Sequence, residues 1–192
     1  MKKRIYTSTL YALFVIGMLS LTVSCTYHEI RDTEYPDQQI YMPTAVNGVY
    51  DASVTTGTSS VPTPGGPTRF SVDEANGKVI IPLGVYRGGI NLSGKVKVEI
   101  HLNADTVSTM INAGKLSGTV LLPDDKAVIP SSVEIPNGKE IVTFDLKIDI
   151  NHLRANPDKK VAVGITISSQ DRVTNPKFAT TIVVFNPNSV KQ

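Results

Sequence analysis

The sequence contains a single cysteine, Cys25, and no tryptophan in its 192 residues. A lone cysteine cannot form a disulfide within the chain. The fold must therefore be stabilised by packing, hydrogen bonds and turns. The roughly 150 residues that follow Cys25 are enough to bury the core of one domain without disulfides.

The chain also lacks an excess of charge. The formal net charge is +2, from 19 basic and 17 acidic residues. Residues 1–24 hold three of the basic residues and no acidic ones, so the remainder carries 16 against 17, a net charge of −1. A nucleic-acid partner would require clustered lysine and arginine, and this class is excluded.

Motifs of catalysis are missing as well. There is no Gly-x-Ser-x-Gly sequence and no cysteine to pair with histidine, and His28, His101 and His152 lack metal-ligand spacing. The adjacent Asp124 and Asp125 suggest carboxylate catalysis with a partner on a later strand, but a hydrogen-bonded turn explains them more simply. We therefore expect no enzyme activity, no catalytic residue, no metal and no cofactor.

The first 25 residues have the order of a secretory signal. Lys2, Lys3 and Arg4 precede an apolar run over residues 10–23, which is short for a transmembrane helix. Residues 21–25 (LTVSC) resemble a relaxed bacterial lipobox, which predicts lipidation of Cys25. The alternative is an ordinary signal peptide that is cut near Ser24 and leaves a free thiol.

From residue 39 onward the pattern predicts strands, rich in Val, Ile and Thr and separated by Gly, Pro, Asn and Asp. Segments 95–102 and 139–150 alternate with period 2, as strands with one buried face do. A single short helix is expected, with Asp105 as N-cap and Gly114 as its stop. The predicted strands are 39–42, 49–55, 68–72, 78–85, 95–102, 139–150, 160–167 and 180–185.

These elements predict an all-β, immunoglobulin-like antiparallel β-sandwich with one short helix. The expected organisation is a signal peptide over residues 1–24, a lipidated cysteine and polar tether over 25–37, and the sandwich domain over 38–188. The acidic residues of the tether loosely resemble a signal for display on the outer face of the outer membrane, although a merely soluble linker is an equal alternative. Residues 55–67 read as a long loop.

Five short stretches carry a resemblance to a known family: 37–43 (DQQIYMP), 82–89 (PLGVYRGG), 121–125 (LLPDD), 133–139 (VEIPNGK) and 144–149 (FDLKID). They resemble the immunoglobulin-like N-terminal domain of uncharacterised surface lipoproteins from bacterial polysaccharide-utilisation loci, over roughly residues 36–186. The resemblance implies a lipid-anchored sandwich, often joined to a C-terminal module that binds or cuts glycan. The sequence ends at Gln192, so we expect that module to be absent.

Glycan binding would use exposed rings flanked by polar groups. Tyr41, Tyr50 and Tyr86 are the aromatics expected to face outward, and Tyr86 with Arg87 is the preferred contact pair, beside glycines that would permit close approach. The predicted ligand-binding residues are Tyr86, Arg87 and Tyr50. The alternative is a Tyr86 ring that packs at a sheet edge.

The function expected from these observations is that of a non-catalytic, lipid-anchored protein of the outer membrane, exposed at the cell surface. It would serve as an accessory binding or scaffolding component in glycan capture. Its expected partners are the membrane, through the lipid, and a polysaccharide or oligosaccharide. One alternative is a structural or assembly protein that pairs a sheet edge with another surface protein, and another is a stub whose C-terminal module has been lost.

Overall fold

The computed structural model describes residues 38–53 and 69–190, which belong to one compact unit, Pro36–Gln192. The predicted signal peptide, Cys25, the tether and the predicted loop over 55–67 lie outside the described residues. None of the helices in the described ranges has both the length and the apolar character needed to cross a membrane.

Two six-stranded sheets form the sandwich, which confirms the predicted all-β class. The strands of sheet 1 are β1 (Gln39–Tyr41), β3 (Ser71–Asp73), β4 (Lys78–Arg87), β7 (Ala127–Val128), β9 (Ile141–Asp149) and β11 (Val173–Thr174). Those of sheet 2 are β2 (Val49–Asp51), β5 (Val96–Leu102), β6 (Thr119–Leu121), β8 (Ser132–Ile135), β10 (Lys160–Ser168) and β12 (Thr180–Phe185). Sheet 1 has the order β11-β1-β4-β9-β7, with β3 also paired to β4, and sheet 2 has the order β2-β12-β10-β5-β8, with β6 also paired to β10.

The main core lies between the two sheets because the strands alternate as predicted. In β9, Phe144, Leu146 and Ile148 are buried, whereas Asp145 and Lys147 are exposed. The same period buries Ile81, Leu83 and Val85 of the neighbouring strand β4. Each inward side chain removes apolar surface from water, which is the main driving force for closing the two sheets on each other.

The strand β10 is buried on both faces. Ala162 and Gly164 point away from the main core, and helix α1 (Ala104–Asn112) covers them with Val107. The outer face of this strand carries no charge from Ala162 to Ser168, and β10 lies between β12 on one side and β5 with β6 on the other.

Some local predictions were wrong. The N-cap of α1 is Asn103, whose side chain accepts a hydrogen bond from the backbone N–H of Thr106, instead of Asp105. A second short helix, α2 (Ile150–Ala155), begins directly after β9 and was not predicted. The sequence Asn137-Gly138 is typical of a hairpin turn, and Gly138 has a φ of +75°, but this turn joins β8 and β9 of different sheets and so forms no hairpin.

Pro82 lies inside β4, although proline has no backbone N–H that could donate a hydrogen bond to a neighbouring strand. The edge of β4 that faces away from β9 is paired by β3 as far as Ile80 and by β1 from Tyr86 onward. Within the described ranges no strand pairs the interval between them on that edge. A proline is therefore compatible with this strand.

Candidate functional site

The first component of the candidate site is a pair of tyrosines on the outer face of sheet 1. Ile40 and Val85 are fully buried, so strand alternation directs Tyr41 and Tyr86 to the other face. The two residues lie opposite each other in the β1–β4 register. Their rings are stacked, with centroids 5.9 Å apart and an angle of 29° between the planes. We call Tyr41 and Tyr86 the tyrosine pair.

Arg87, the predicted partner of Tyr86, is not a surface residue. It takes the inward phase of β4 and is only 2% exposed. Its guanidinium donates to backbone carbonyls of Lys139 at 3.1 Å, Ser93 at 3.3 Å, Gly94 at 2.9 Å, Pro136 at 3.4 Å and Leu92. The donors are used within the protein, and this corrects the expectation that Arg87 contacts a ligand.

Tyr50 is also buried, contrary to the expectation that it faces outward. It is 7% exposed and pairs in register with the buried Val183, which places it on the core side of sheet 2. The guanidinium carbon of Arg69 lies 5.1 Å from the centre of its ring. Tyr50 therefore belongs to the packing of the sandwich, away from the tyrosine pair on sheet 1.

The second component is an open groove with a volume of about 620 Å³. It lies between the residue before β1, the segment after β4 and the connection from β10 to β11. Gln38, Asn91 and residues 169–173 line it. We call it the Arg172 groove. Its volume falls within the range of about 300–1,000 Å³ that is typical of small-molecule sites.

Hydrogen bonds fix the walls of the Arg172 groove. The Nε of Arg172 donates to Oε1 of Gln38 at 3.0 Å, and its Nη1 donates to the backbone carbonyl of Asp171 at 2.8 Å. The carboxylate of Asp171 accepts from the backbone N–H of Lys97 at 2.7 Å, and the hydroxyl of Ser169 donates to the carbonyl of Lys97. The connection is thus attached both to β1 and to the neighbouring strand β5.

Strand β1 joins the groove to the tyrosine pair. Val173, which lines the groove and is 58% exposed, lies opposite Gln39 in the register of β1 and β11. Gln39 shares the outer face of the strand with Tyr41, because they are two residues apart. At about 3.3 Å per residue, Gln38 and Tyr41 lie about 10 Å apart along the strand.

The glycines after Arg87 lie beside Gln38 and Tyr41. A Cβ on Gly89 would lie 2.8 Å from Cγ of Gln38, and the φ of Gly89 is +112°. A Cβ on Gly88 would lie 3.7 Å from Cε1 of Tyr41, which is an ordinary contact distance. Gly89 therefore makes room for the wall of the groove, and the close approach of a ligand to these glycines stays a prediction.

Sequence reasoning did not find residues 169–173. The stretch Ser169-Gln170-Asp171-Arg172 is a polar run between two strands, and such a run predicts no more than a loop. The available signal is its composition, which combines hydroxyl, amide, carboxylate and guanidinium groups in four consecutive residues. Only the fold brings this run beside Gln38, which is 134 positions away from Arg172.

The carboxylates considered for catalysis have structural roles. Asp124 and Asp125 begin a 3₁₀ turn, and Asp125 pairs with Lys126 at 2.9 Å, which raises the pKa of Lys126. Asp149 caps α2 by accepting from the N–H groups of His152 and Asn151, and these bonds lower its pKa. Across residues 38–53 and 69–190, no three His, Cys, Asp or Glu side chains are grouped closely enough to hold a metal.

Comparisons with known proteins agree with this architecture. A family model described as a "-like, N-terminal domain" matches residues 35–174, whereas curated proteins give no match. A "putative carbohydrate binding protein" from Bacteroides ovatus has a similar fold, with a TM-score of 0.55 and 12% identity over 77% of this chain and 36% of that chain.

Two further structures are from Bacteroides thetaiotaomicron. One is an auxiliary nutrient binding protein, with a TM-score of 0.46 and 18% identity over 72% of this chain and 43% of that chain. The other is EndoBT-3987 with Man5GlcNAc product, with a TM-score of 0.45 and 15% identity over 56% of this chain and 26% of that chain. The chain spans less than half the length of each of these three structures.

Proposed function

We propose, starting from the premise that this chain belongs to the "-like, N-terminal domain" family matched over residues 35–174, that it is a non-catalytic protein that binds glycan. In this proposal it acts as an accessory component of carbohydrate capture at the cell surface. The fold that it shares with a "putative carbohydrate binding protein" is consistent with this role.

The observation that carries the proposal is that Val173 of the Arg172 groove pairs with Gln39 of β1, the strand that also holds Tyr41 of the tyrosine pair. Sugars present hydroxyl groups at their edges and C–H groups on their faces. Amides such as Gln38 and Asn91 both donate and accept hydrogen bonds and so suit hydroxyls. The outward rings of Tyr41 and Tyr86 supply an apolar surface with a polar hydroxyl at its end. Together they offer both kinds of contact along one strand.

The anchoring part of the proposal rests on residues 1–25, which lie outside the described residues. The basic start, the short apolar run and the LTVSC sequence support lipidation of Cys25. A diacylated cysteine would hold the protein firmly at a membrane, because two acyl chains bind far more stably than one. We propose display at the outer face of the outer membrane on this basis.

Affinity electrophoresis tests the binding role. The purified full chain, kept in detergent, is run through native gels that contain individual polysaccharides, together with Tyr86→Ala and the control Val128→Ala. Val128 is 52% exposed and pairs with Lys147, six residues along β9 from the partner of Tyr86. We expect a glycan to retard the wild type and the control and to retard Tyr86→Ala less. Equal retardation of all three would remove the tyrosine pair from the site.

A second candidate function is attachment to another surface protein through a sheet edge. The observation that favours it is an apolar groove of about 390 Å³, lined by Val128, Ile129, Pro130, Val133 and Phe144 among others. In β9, which contributes Phe144, only Lys147 and Ile148 are paired with β7. Failure of every glycan to retard the chain, combined with loss of a captured surface protein in Val128→Asp, would favour this function over glycan binding.

A further inference from the structure

We propose that the Arg172 groove selects acidic glycans, and that Arg172 is the residue that contacts their carboxylate or sulfate groups. The inference rests on the proposed function and specifies the class of sugar. The charges within the groove differ from those elsewhere in the described chain.

The other arginines of the described residues are occupied in ways that Arg172 is not. Arg154 pairs with the carboxylate of Glu74 through two contacts, at 2.6 and 3.1 Å. Arg87 is buried among backbone carbonyls, and Arg69 donates to the carbonyl of Asp51 beneath the ring of Tyr50. Arg172 alone lines the large polar groove.

The partners of Arg172 are neutral. They are the side-chain amide oxygen of Gln38 and the backbone carbonyl of Asp171, and no described carboxylate lies within ion-pair distance of its guanidinium. The two hydrogen bonds hold the plane of the guanidinium in place while using two of its five N–H groups. The remaining donors, including both on Nη2, are available to a ligand.

Asp171 also lines the groove, but its carboxylate does not lie within ion-pair distance of the Arg172 guanidinium. It accepts a hydrogen bond from the backbone N–H of Lys97 and also lines an adjoining cavity of about 110 Å³ with Lys97 and Glu99. The other polar side chains around the groove are amides and a hydroxyl. The groove therefore combines neutral groups suited to sugar hydroxyls with one oriented cation that no described carboxylate pairs.

A fixed guanidinium with free N–H groups favours a planar or tetrahedral oxyanion. Such contacts are charge-assisted, and a two-pronged arrangement matches carboxylate or sulfate better than a lysine ammonium does. A neutral sugar would leave the charge of Arg172 without a counterion. An acidic sugar would supply one while its hydroxyls bond to Gln38 and Asn91.

The test uses matched polymers that differ in charge. Binding of the full chain in detergent is measured by calorimetry for polygalacturonate and its methyl ester, and for dextran sulfate and dextran. We expect at least tenfold tighter binding to one acidic polymer than to its neutral counterpart. Arg172→Gln should abolish that preference, and Arg172→Lys should restore only part of it. Lys115→Gln removes the same charge from the exposed loop after α1 and should change nothing.

The two acidic polymers separate the sources of the anion, because preference for polygalacturonate alone identifies a carboxylate and preference for dextran sulfate alone identifies a sulfate. Equal affinity for charged and neutral polymers, unchanged in Arg172→Gln, would overturn the inference and leave glycan binding intact. An equal loss of both affinities in Arg172→Gln would also overturn it, since Arg172 would then act only by positioning Gln38. Binding to no polymer in this or a wider panel would overturn the proposed function itself.

Discussion

Arg87 places a permanent positive charge at the end of the core of the sandwich. Among the described residues no carboxylate pairs with it, and backbone carbonyls from two separate segments surround its guanidinium instead. Residues 92–94 lead from β4 towards β5, and residues 136–139 form the turn between β8 and β9. Arg87 therefore strengthens a junction that is also held by hydrogen bonds from the backbone N–H of Gly138 to the carbonyl of Leu92 at 2.8 Å and from the backbone N–H of Gly94 to Oδ1 of Asn137 at 2.7 Å.

Replacing Arg87 should destabilise the fold strongly. Arg87→Met removes the hydrogen bonds that this buried guanidinium donates to five carbonyls, and we expect a loss of about 2–3 kcal/mol in the free energy of unfolding, as for hydrogen bonds to a charged group. Arg87→Lys should also be destabilising, because one ammonium cannot reach carbonyls arranged around a planar fork. Urea denaturation measures both changes.

Arg154→Met is the control for Arg87→Met, since it removes an arginine from a surface ion pair with Glu74. Exposed pairs contribute about 0–1 kcal/mol, so its unfolding midpoint should stay close to that of the wild type. A comparable loss in the two methionine variants would contradict the role assigned to Arg87.

The face of a strand on which a side chain lies could be predicted only where the two-residue alternation and the usual burial of that residue type agreed. Tyr41 and Tyr86 lie on the outer phase of their strands, as expected. Strand alternation places Arg87 on the inward face of β4, with Val85 and Leu83. Because arginine is rarely buried, the sequence-based prediction placed it at the surface instead. Tyr50 lies in a strand of only three residues, which is too short for alternation to show which face is buried.

At the scale of elements, the contact between α1 and β10 depends on Gly164. Its carbonyl accepts from the backbone N–H of Asn103 at 2.8 Å, and a Cβ at position 164 would lie 2.2 Å from the carbonyl oxygen of Asn103. The obstacle is backbone, which cannot move as a side chain does. The helix therefore needs a residue without a side chain beneath it.

Gly164→Ala should displace the start of α1 from sheet 2. We expect a loss of about 3 kcal/mol in the free energy of unfolding, at the upper end of the range for overpacked sites. Gly88→Ala is the matched control, because its added Cβ would be 3.7 Å from its nearest neighbours and the alanine lowers the entropy of the unfolded chain. Similar stability of the two variants by thermal unfolding would contradict this packing.

Asp149 gives the start of α2 a dependence on pH. Its hydrogen bonds from the N–H groups of His152 and Asn151, aided by the charges of Lys78 and Lys126, hold its pKa below the ordinary value of 3.8. A lowered pKa in the folded state means that the stabilisation is complete above the unfolded value. It is lost as the pH falls through the folded value.

Asp149→Ala should therefore lower the free energy of unfolding by about 1 kcal/mol at pH 7, as is typical for loss of an N-cap. The difference from the wild type should shrink below about pH 4 as the wild-type carboxylate becomes protonated. Urea titrations at several pH values measure it, with the exposed Asp158→Ala as control. A difference that stays constant down to pH 2 would show that the charge of Asp149 does not contribute.

The long strands and the three-residue strands β1 and β2 were predicted from the sequence, whereas the two-residue strands were not. Strands β4, β5, β9, β10 and β12 span six to ten residues, enough for a period of 2 to appear. The two-residue strands β7 and β11 have no period to read. Tertiary pairing alone defines them, and β11 is the strand that brings Val173 beside Gln39.

In the whole molecule, residues that are remote in sequence come together on one surface of the sandwich. The groove and the tyrosine pair use β1, the end of β4 and the connection from β10 to β11. These segments meet because β1 pairs antiparallel with β4 and parallel with β11. The fold class was predictable from periodicity, but the candidate site depends on which strands are neighbours, and periodicity does not contain that information.

The proposed attachment to a membrane makes a prediction for the entire chain. Cells that express the wild type and are fed an alkyne fatty acid should yield a labelled protein in the membrane fraction. Cys25→Ser should lose the label and leave that fraction, because the thioether needs the sulfur of Cys25. Asp158→Ala is the control and should be labelled as the wild type is. Label that persists in Cys25→Ser would contradict lipidation at this residue.

The most direct test of the central claim is a map of amide chemical shifts for the full chain in detergent, titrated with a glycan that retards it in affinity gels. We expect the shifts to change at residues 38–41, 86–91 and 169–175, with saturation at one common affinity. Shift changes confined to β7, β8 and β9, or spread evenly without saturation, would contradict a glycan site in the Arg172 groove.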